Sequence, residues 1–218
     1  RLAYPDETFR NTVVRAWARE AAAAKGTDRR PPILEAPILC KDGSTRYVII
    51  SLAWVDDYRL VNFSDITGRW LAERRNRARN ATLELIAKGA SLQKILHAIV
   101  LGVEAEDQRM LCSILLLDRD GRHLRNGATP NLPEFYNQAI DGVEVGDGVG
   151  SCGTAAHILQ RVIVADIQRH PYWTDFKDLA ASAELASCWS EPILSSKGRL
   201  LGTFAIYHRQ PSEPNAAA

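Results

Sequence analysis

The chain has 218 residues, of which 46% are hydrophobic and 24% are charged, and its formal net charge is +1. This length allows one large or two small domains with a buried core, the composition is ordinary for a globular protein, and the balanced charge argues against a nucleic-acid surface. No run of 18 apolar residues predicts a membrane span, and four scattered cysteines without a CxxC motif give no sign of structural zinc and favour a reducing cytoplasm.

The N-terminal part predicts one helix followed by three strands. Tyr4–Ala24 has amphipathic spacing and begins with a proline and two acidic residues. Apolar runs separated by turn signals predict strands over Ile33–Cys40, Thr45–Val55 and Arg59–Ser64. The last strand ends in Asp65–Thr67, at the start of a further helix.

The CKDGSTRYVIISLAW hairpin and the NFSDIT ending resemble the last strands of a PAS domain and its signal-transmitting junction. The resemblance covers about 4–67, and the segments that complete that family's ligand pocket are missing. It implies a partial PAS-like lobe over residues 1–67 that binds no haem, flavin or organic acid and packs as a partial sheet or against another chain. A generic lobe of one helix and three strands is the alternative.

Residues 67–88 predict a continuous helix because alanine, arginine, leucine and glutamate dominate them. A seven-residue apolar repeat within it favours a helical seam between two subunits. We therefore expect a connector over residues 68–90 that joins two chains in a homodimer, with its dense arginine run as a solvated face. The predicted relay residues are Asp65, Ile66, Thr67, Leu71, Ala78 and Leu85.

The remaining sequence alternates between helix and strand signals. Ser91 is expected to cap a helix that ends at Glu104, and Pro133 to open a short helix that ends at Ala139. The glycine-rich GDGVGSCGTAA segment permits a tight turn, after which we expect Ser151 to cap a helix over Thr154–Leu159. Strands are predicted over Met110–Leu117, His123–Ala128, Val162–Val164 and Leu200–Tyr207.

The GVGSCGTAA turn, the VIVADI strand and the EPILSSKGRLLGTFAIY strand pair, in this order, resemble a bacterial GAF domain over about 81–211. The resemblance implies an α+β fold in which helices flank a six-stranded antiparallel sheet, with the domain over residues 91–218. The alanine-rich tail after Pro211 and Pro214 leads us to expect that the family's closing C-terminal helix is missing. It also implies binding of a small ligand, or service as a dimerising relay.

Aromatic and polar residues in this region predict a ligand pocket covered by the segment 171–183. An apolar cage with a few polar groups is the usual small-molecule site. The predicted ligand residues are Asp147, Ser151, Cys152, Thr154, Trp173, Asp175, Phe176, Trp189 and Glu191. The alternative is that the aromatic rings fill the core and leave no cavity.

Cys152 is the candidate for thiol chemistry, because it lies near a helix start, where backbone N–H groups favour a thiolate. Its turn is similar to that of GAF-type free methionine sulfoxide reductases. Glu191 of this chain matches the glutamate that lies beside the substrate in those enzymes. The resolving cysteines and paired aspartates of those enzymes are missing here. We therefore expect no enzyme activity, and we interpret Cys152, Cys112 and Cys188 as buried structural thiols.

The order of the two lobes resembles input regions of bacterial cyclic-di-GMP enzymes and sensor histidine kinases. This implies a cytoplasmic sensory module that binds a small molecule without cofactor or metal. It would relay the signal through a dimeric helix to an output domain beyond this fragment, such as a diguanylate cyclase, a phosphodiesterase or a histidine kinase. The alternatives are a ligand-free dimerisation platform and a thiol redox sensor or reductase-like enzyme through Cys152. No nucleic acid or membrane partner is expected.

Overall fold

A computed structural model of the protein describes residues 11, 14–15, 18–19, 22, 33–41, 44–55, 58–107 and 109–214. The chain divides into two compact units, with the boundary between Arg74 and Arg75. Most of the predicted helix Tyr4–Ala24 lies outside the described residues, and those of its residues that are described are helical. Within the described part of the chain, no helix is both long and apolar enough to cross a membrane.

The first unit contains a three-stranded antiparallel sheet in the order β1-β2-β3. Its strands are β1 (Leu34–Leu39), β2 (Thr45–Val55) and β3 (Tyr58–Asp65), each within one residue of its predicted bounds. Ala36 lies opposite Val48 across the first strand pair, and both side chains are buried. Helix α1 (Thr67–Ala87) follows β3 almost directly and ends one residue before the predicted bound.

The second unit is built on a six-stranded antiparallel sheet in the order β6-β5-β4-β9-β8-β7. The strands are β4 (Met110–Leu117), β5 (His123–Ala128), β6 (Val143–Glu144), β7 (Val162–Val164), β8 (Ser187–Leu194) and β9 (Leu200–His208). The last strand along the chain, β9, therefore lies in the middle of the sheet. This is the α+β architecture that the sequence predicted.

Helices cover both faces of this sheet. They are α2 (Leu92–Glu104), α3 (Glu134–Ile140), α4 (Gly150–Ile158) and α5 (Lys177–Ser182), with a 3-10 turn at Pro171–Trp173. Helix α2 begins as predicted, because the Ser91 hydroxyl accepts a hydrogen bond from the Lys94 amide. It packs on β4 and β5, whereas α4 packs on the opposite face, against β7, β8 and β9.

A buried carboxylate ties α2 to the sheet. Glu104 is 7% exposed, and its Oε1 accepts the backbone N–H of Cys112 at 2.8 Å. Strand β5 pairs with β4 only from Ile114 onward, so a side chain satisfies this amide instead of a strand. The other oxygen, Oε2, accepts a bond from the Asn131 side chain.

Gly202 lets β9 approach β4 closely. A Cβ atom at this position would lie 2.1 Å from the carbonyl oxygen of Leu115, well inside van der Waals contact. The two central strands can therefore pair at this register only with glycine here.

Candidate functional site

A small cavity of about 30 Å³ lies between α4 and the sheet face that α4 covers. A volume of this size holds roughly one or two water molecules. Aromatic and aliphatic side chains form most of its wall, and the start of α4 completes it. The lining residues are Leu115, Tyr136, Ile140, Val143, Val149, Gly150, Ser151, Cys152, Trp173, Phe176 and Tyr207.

The start of α4 differs from the sequence prediction. The helix begins at Gly150, before the predicted Thr154, and no side chain caps it. Ser151 is therefore not an N-cap, because it lies inside the first turn. Its hydroxyl instead donates to the carbonyl oxygen of Cys188 at 3.4 Å and accepts the indole N–H of Trp173 at 3.0 Å. Ser151 thus connects the helix, the sheet and the segment that covers the cavity.

The cavity is covered by the segment that the sequence predicted for this role. Trp173 is only 4% exposed, and its ring packs edge-to-face against Phe176 with the ring centroids 6.5 Å apart. The His170 side chain accepts the amide of Tyr172 and so fixes the start of the 3-10 turn. The cover is held by burial of the Trp173 ring in the core and by the Trp173–Ser151 hydrogen bond.

Hydroxyl groups surround the Cys152 thiol inside an otherwise apolar core. Ser190 donates to the sulfur at 3.5 Å, and the Tyr207 hydroxyl lies 3.9 Å from it. Tyr207 in turn lies 3.4 Å from the Ser113 hydroxyl. The Thr203 hydroxyl, also beside Cys152, is fully buried and has no hydrogen-bond partner among the described residues. Buried hydroxyls are costly when they are unpaired, so this cluster is unusual for a core.

The pKa values of the Cys152 and Cys188 thiols are shifted in opposite directions. A hydrogen bond from the Cys188 thiol, assisted by the Ser190 and Tyr207 hydroxyls, lowers the pKa of Cys152 against the effect of burial. Burial, followed by the interaction with Cys152, raises the pKa of Cys188 well above its ordinary value. Cys152 is buried, as expected, but its neighbours favour a thiolate. A purely structural thiol does not require this arrangement.

The other predicted ligand residues on the loops and on α4 do not line the cavity. Thr154 is buried, and its hydroxyl donates to the Gly150 carbonyl within its own helix at 2.6 Å. Asp147 and Asp175 are exposed. Ser151, Cys152, Trp173 and Phe176 are thus the predicted ligand residues that the structure brings together.

Trp189 and Glu191 lie on the other face of the sheet. Successive strand residues point to opposite faces of the sheet. Because Cys188 faces α4, its neighbour Trp189 points away from the cavity. The Trp189 indole donates to the carbonyl oxygen of Ser212 at 3.1 Å, and Glu191 pairs with Arg161 at the surface. The predicted cage of Trp173, Phe176 and Trp189 is therefore wrong. Tyr136 and Tyr207, which were not predicted as ligand residues, occupy the cavity wall instead.

The predicted relay begins at a well-bonded junction. Asp65 accepts the Thr67 amide at 2.8 Å and an Arg46 guanidinium N–H at 2.9 Å. Hydrogen bonds from Thr67 and then Arg46 lower the pKa of Asp65 to about 2. The Thr67 hydroxyl also accepts the Tyr47 amide, and the Ile66 amide donates to the Tyr47 carbonyl. The start of α1 is therefore fixed to β2.

The predicted dimer seam is partly used inside the chain. Leu71, Ala78 and Leu85 are half-buried. A Cβ atom at Gly102 of α2 would lie 3.1 Å from the Ala78 methyl carbon, so Ala78 packs against its own chain. Leu83 and Ile86 of α1 are 51% and 53% exposed. The apolar residues that α1 leaves uncovered are therefore not those of the predicted repeat.

Comparison with known proteins identifies relatives of the second unit. A family model described as GAF domain matches residues 89–218. The curated "Methyl sulfide methyltransferase-associated sensor" of Methanosarcina acetivorans is 37% identical over 193 residues, which are 83% of this chain. The chain spans 19% of the length of that relative.

Solved structures support the same fold. The GAF domain of an Acinetobacter phosphoenolpyruvate-protein phosphotransferase is 18% identical, with a TM-score of 0.50 over 68% of this chain and 83% of that domain. The corresponding domain from Coxiella burnetii is 17% identical, with a TM-score of 0.53 over 67% of this chain and 82% of that one. These likenesses show the architecture alone. Since the family model covers more than half of its length, the chain belongs to the GAF domain family.

Proposed function

We propose that this chain is a sensory input module of a signalling protein, with its ligand site in the cavity beneath Trp173. The wall of that cavity supports the proposal, because mostly aromatic and aliphatic side chains surround the anchored hydroxyl of Ser151. Small-molecule sites combine such walls with a few placed polar groups. The name of the relative from Methanosarcina acetivorans, a sensor, favours the same role.

The ligand class follows from the size and chemistry of the cavity. A volume of about 30 Å³ admits only water-sized molecules while Trp173 stays in place. A larger ligand must displace the cover, which breaks the neutral Trp173–Ser151 hydrogen bond, worth about 1 kcal/mol, and exposes the buried Trp173 ring. The cavity lining contains no carboxylate or basic side chain. We therefore expect a small, uncharged and mostly apolar ligand with one hydrogen-bonding group.

The relay would run from the cover through α4 and the sheet to the helices. A ligand that favours a displaced cover shifts the population of the GAF unit toward that state. We propose that the 21-residue helix α1 and its Asp65 junction pass this shift on in a homodimer. The recipient would be an output domain of the cyclic-di-GMP or histidine kinase type elsewhere in the full-length protein.

A second candidate is a relay domain that binds no ligand. The observation that favours it is again the cavity volume, since the side chains of the unit almost fill the site by themselves. In that case the domain would transmit a change that originates elsewhere in the assembly.

The two candidates differ in what the purified protein carries and in what stabilises it. Native mass spectra before and after denaturation detect a retained ligand, and thermal melts against a panel of uncharged metabolites and nucleosides detect an added one. Trp173→Phe removes the indole N–H but keeps a ring over the cavity. Trp189→Phe is the matched control, because Trp189 lies on the other sheet face.

The ligand proposal expects an adduct or a thermal shift in the wild type and in Trp189→Phe, and a clearly smaller effect in Trp173→Phe. A dimer without adduct or shift supports the ligand-free relay. Equal losses in both tryptophan variants would place the site elsewhere and contradict the proposal.

A further inference from the structure

We propose that Cys152 is an oxidation site, at which a hydroperoxide forms a sulfenic acid that Cys188 then resolves as an intramolecular disulfide. This role needs no bound ligand, although it uses the same cavity, and it assigns a chemical purpose to the buried polar cluster that the ligand proposal leaves unused. The partners come from the two elements that meet there, α4 with Cys152 and β8 with Cys188.

The cluster is built around one sulfur atom. Three hydroxyl-bearing side chains, Ser190, Thr203 and Tyr207, and the thiol of Cys188 are beside Cys152. A core that needed only packing would favour apolar groups, since each buried hydroxyl must find a partner. The Thr203 hydroxyl is fully buried, interacts with the Cys152 sulfur, and has no hydrogen bond of ordinary geometry among the described residues. An oxygen added to the sulfur would give this hydroxyl a better acceptor.

The cavity gives the sulfur access to a small oxidant. Cys152 is part of its wall, and the volume of about 30 Å³ suits a molecule of two heavy atoms, such as hydrogen peroxide. The thiol also lies in the first turn of the nine-residue helix α4, which has no side-chain cap, so helix N–H groups add to the positive potential around it. The site thus favours the thiolate form of Cys152 and admits only small molecules to it.

The chemistry balances with the peroxide as the oxidant. The Cys152 thiolate attacks one peroxide oxygen, an S–O bond forms, the O–O bond breaks, and the leaving oxygen takes up a proton to become water or an alcohol. The sulfur of Cys188 then attacks the sulfenic sulfur. An S–S bond forms, the S–O bond breaks, and hydroxide leaves with the Cys188 proton as water. Two thiols and one hydroperoxide give one disulfide, one alcohol or water, and one water.

The other cysteines provide internal comparisons. Burial, with a contribution from Glu104, raises the pKa of Cys112 to about 12, and Cys112 belongs to the opposite core. Cys40 is half-buried and belongs to the first unit. The Cys152 and Cys188 side chains belong to the same buried cluster, where helix α4 packs on β8, and a disulfide between them requires the two sulfurs to come within about 2.05 Å of each other.

The test uses the full chain, reduced and then exposed to a small excess of hydrogen peroxide. Free thiols are blocked with N-ethylmaleimide, and intact masses and peptide maps are recorded. The wild type should lose two maleimide adducts and yield a Cys152–Cys188 cross-linked peptide, whereas Cys112→Ser should behave as the wild type. Cys188→Ser should stop at a sulfenic acid on Cys152 that dimedone traps. Oxidation at Cys152 should be at least about tenfold faster than at Cys112, as expected for a thiolate over a buried thiol.

Circular dichroism of each variant shows that it is folded. No cross-link in the wild type, or a first oxidation at Cys40 or Cys112, overturns the proposal. Dimedone labelling of Cys152 that is equally strong in the wild type and in Cys188→Ser contradicts the resolving role of Cys188. Because these readouts need no added metabolite, they stand or fall separately from the ligand proposal.

Discussion

Buried polar side chains take over bonds that the strands of the GAF unit cannot make. Glu104 is the clearest case, because its carboxylate holds the Cys112 amide where β5 has not yet begun and also binds Asn131. Glu106, two residues further along the chain, pairs instead with Arg75 near the surface. Two glutamates of the same segment thus have very different structural roles.

Glu104→Ala should destabilise the GAF unit by about 1–3 kcal/mol, because it leaves the Cys112 amide buried without a partner. Glu106→Ala, the matched control, removes a partly exposed ion pair and should cost no more than about 1 kcal/mol. Urea unfolding of both variants measures the difference. Equal costs for the two changes would contradict the role assigned to Glu104.

His208 should make the stability of the GAF unit depend on pH. Burial lowers the pKa of His208; Asp107 opposes this effect, Arg109 adds to it, and Ser187 and Trp189 are its uncharged neighbours. The unfolded state then binds the proton more readily, so stability is complete above the unfolded pKa of about 6.5 and falls as the pH drops below it. The urea midpoint of the wild type should therefore fall between neutral pH and about pH 5, and His208→Gln should lose less. An identical loss in the variant would exclude His208 as the source.

The candidate site shows where single-residue reasoning succeeds and fails. Ser151, Cys152, Trp173 and Phe176 were found because glycine turns and aromatic residues mark a cover over a helix start. Trp189 was wrongly assigned to the cavity. Trp189 and Cys188 are neighbours on one strand, so their side chains point to opposite faces of the sheet. Tyr207 could not be found from the sequence, because its place beside Cys188 depends on the β8–β9 register, and Tyr136 depends on how α3 packs.

At the scale of elements, close packing of α1 on α2 depends on small residues. Ala78 faces Gly102, where even one added carbon would come within 3.1 Å of the alanine methyl. The repeat of Leu71, Ala78 and Leu85 was predicted as a seam between two subunits, but sequence alone could not say whether a second chain or α2 covers it. For Ala78 the structure shows that α2 of the same chain covers the side chain.

Gly102→Val should push α1 away from α2 and destabilise the unit by about 1–2 kcal/mol, because overpacking outweighs the small gain in helix propensity. Gln93→Val places the same side chain at an exposed position of α2 and should change stability by less than about 0.5 kcal/mol. Thermal or urea unfolding compares the two. If Gly102→Val left the free energy of unfolding unchanged, α1 and α2 would not be closely packed at this position.

The proposed homodimer should use the exposed apolar residues of α1. Replacing both Leu83 and Ile86 by glutamate should convert a dimer into a monomer, because like charges would meet on a surface that is now apolar. Asn80→Glu, also exposed on α1, is the control for added charge and should leave the mass unchanged. Light scattering after size-exclusion chromatography gives the masses. A monomeric wild type would exclude this dimer.

At the scale of the whole molecule, the fold class could be predicted because strand alternation and turn residues are local signals. The seven strands that were predicted with bounds match them closely, whereas β6 was not predicted, and the order of strands in the larger sheet depends on contacts between distant residues. The boundary between the two units falls inside α1, after Arg74, although the sequence shows no break there.

Residues 75–218 should fold without the first unit, because the two cores of the GAF unit draw all their side chains from this range. We expect the isolated piece to melt cooperatively within a few degrees of the corresponding transition in the full chain, which calorimetry can measure. A piece that stays unfolded would show that residues before Arg75 complete the core.

The position of β9 in the middle of the sheet also constrains how the protein is made. During synthesis β4, β5 and β6 leave the ribosome early, but the strand that joins them to β8 and β7 is the last to appear. Until then β4 exposes an open edge that can pair with other nascent chains. The six-stranded sheet can therefore close only after β9 has been made, and the edge of β4 stays open until that point.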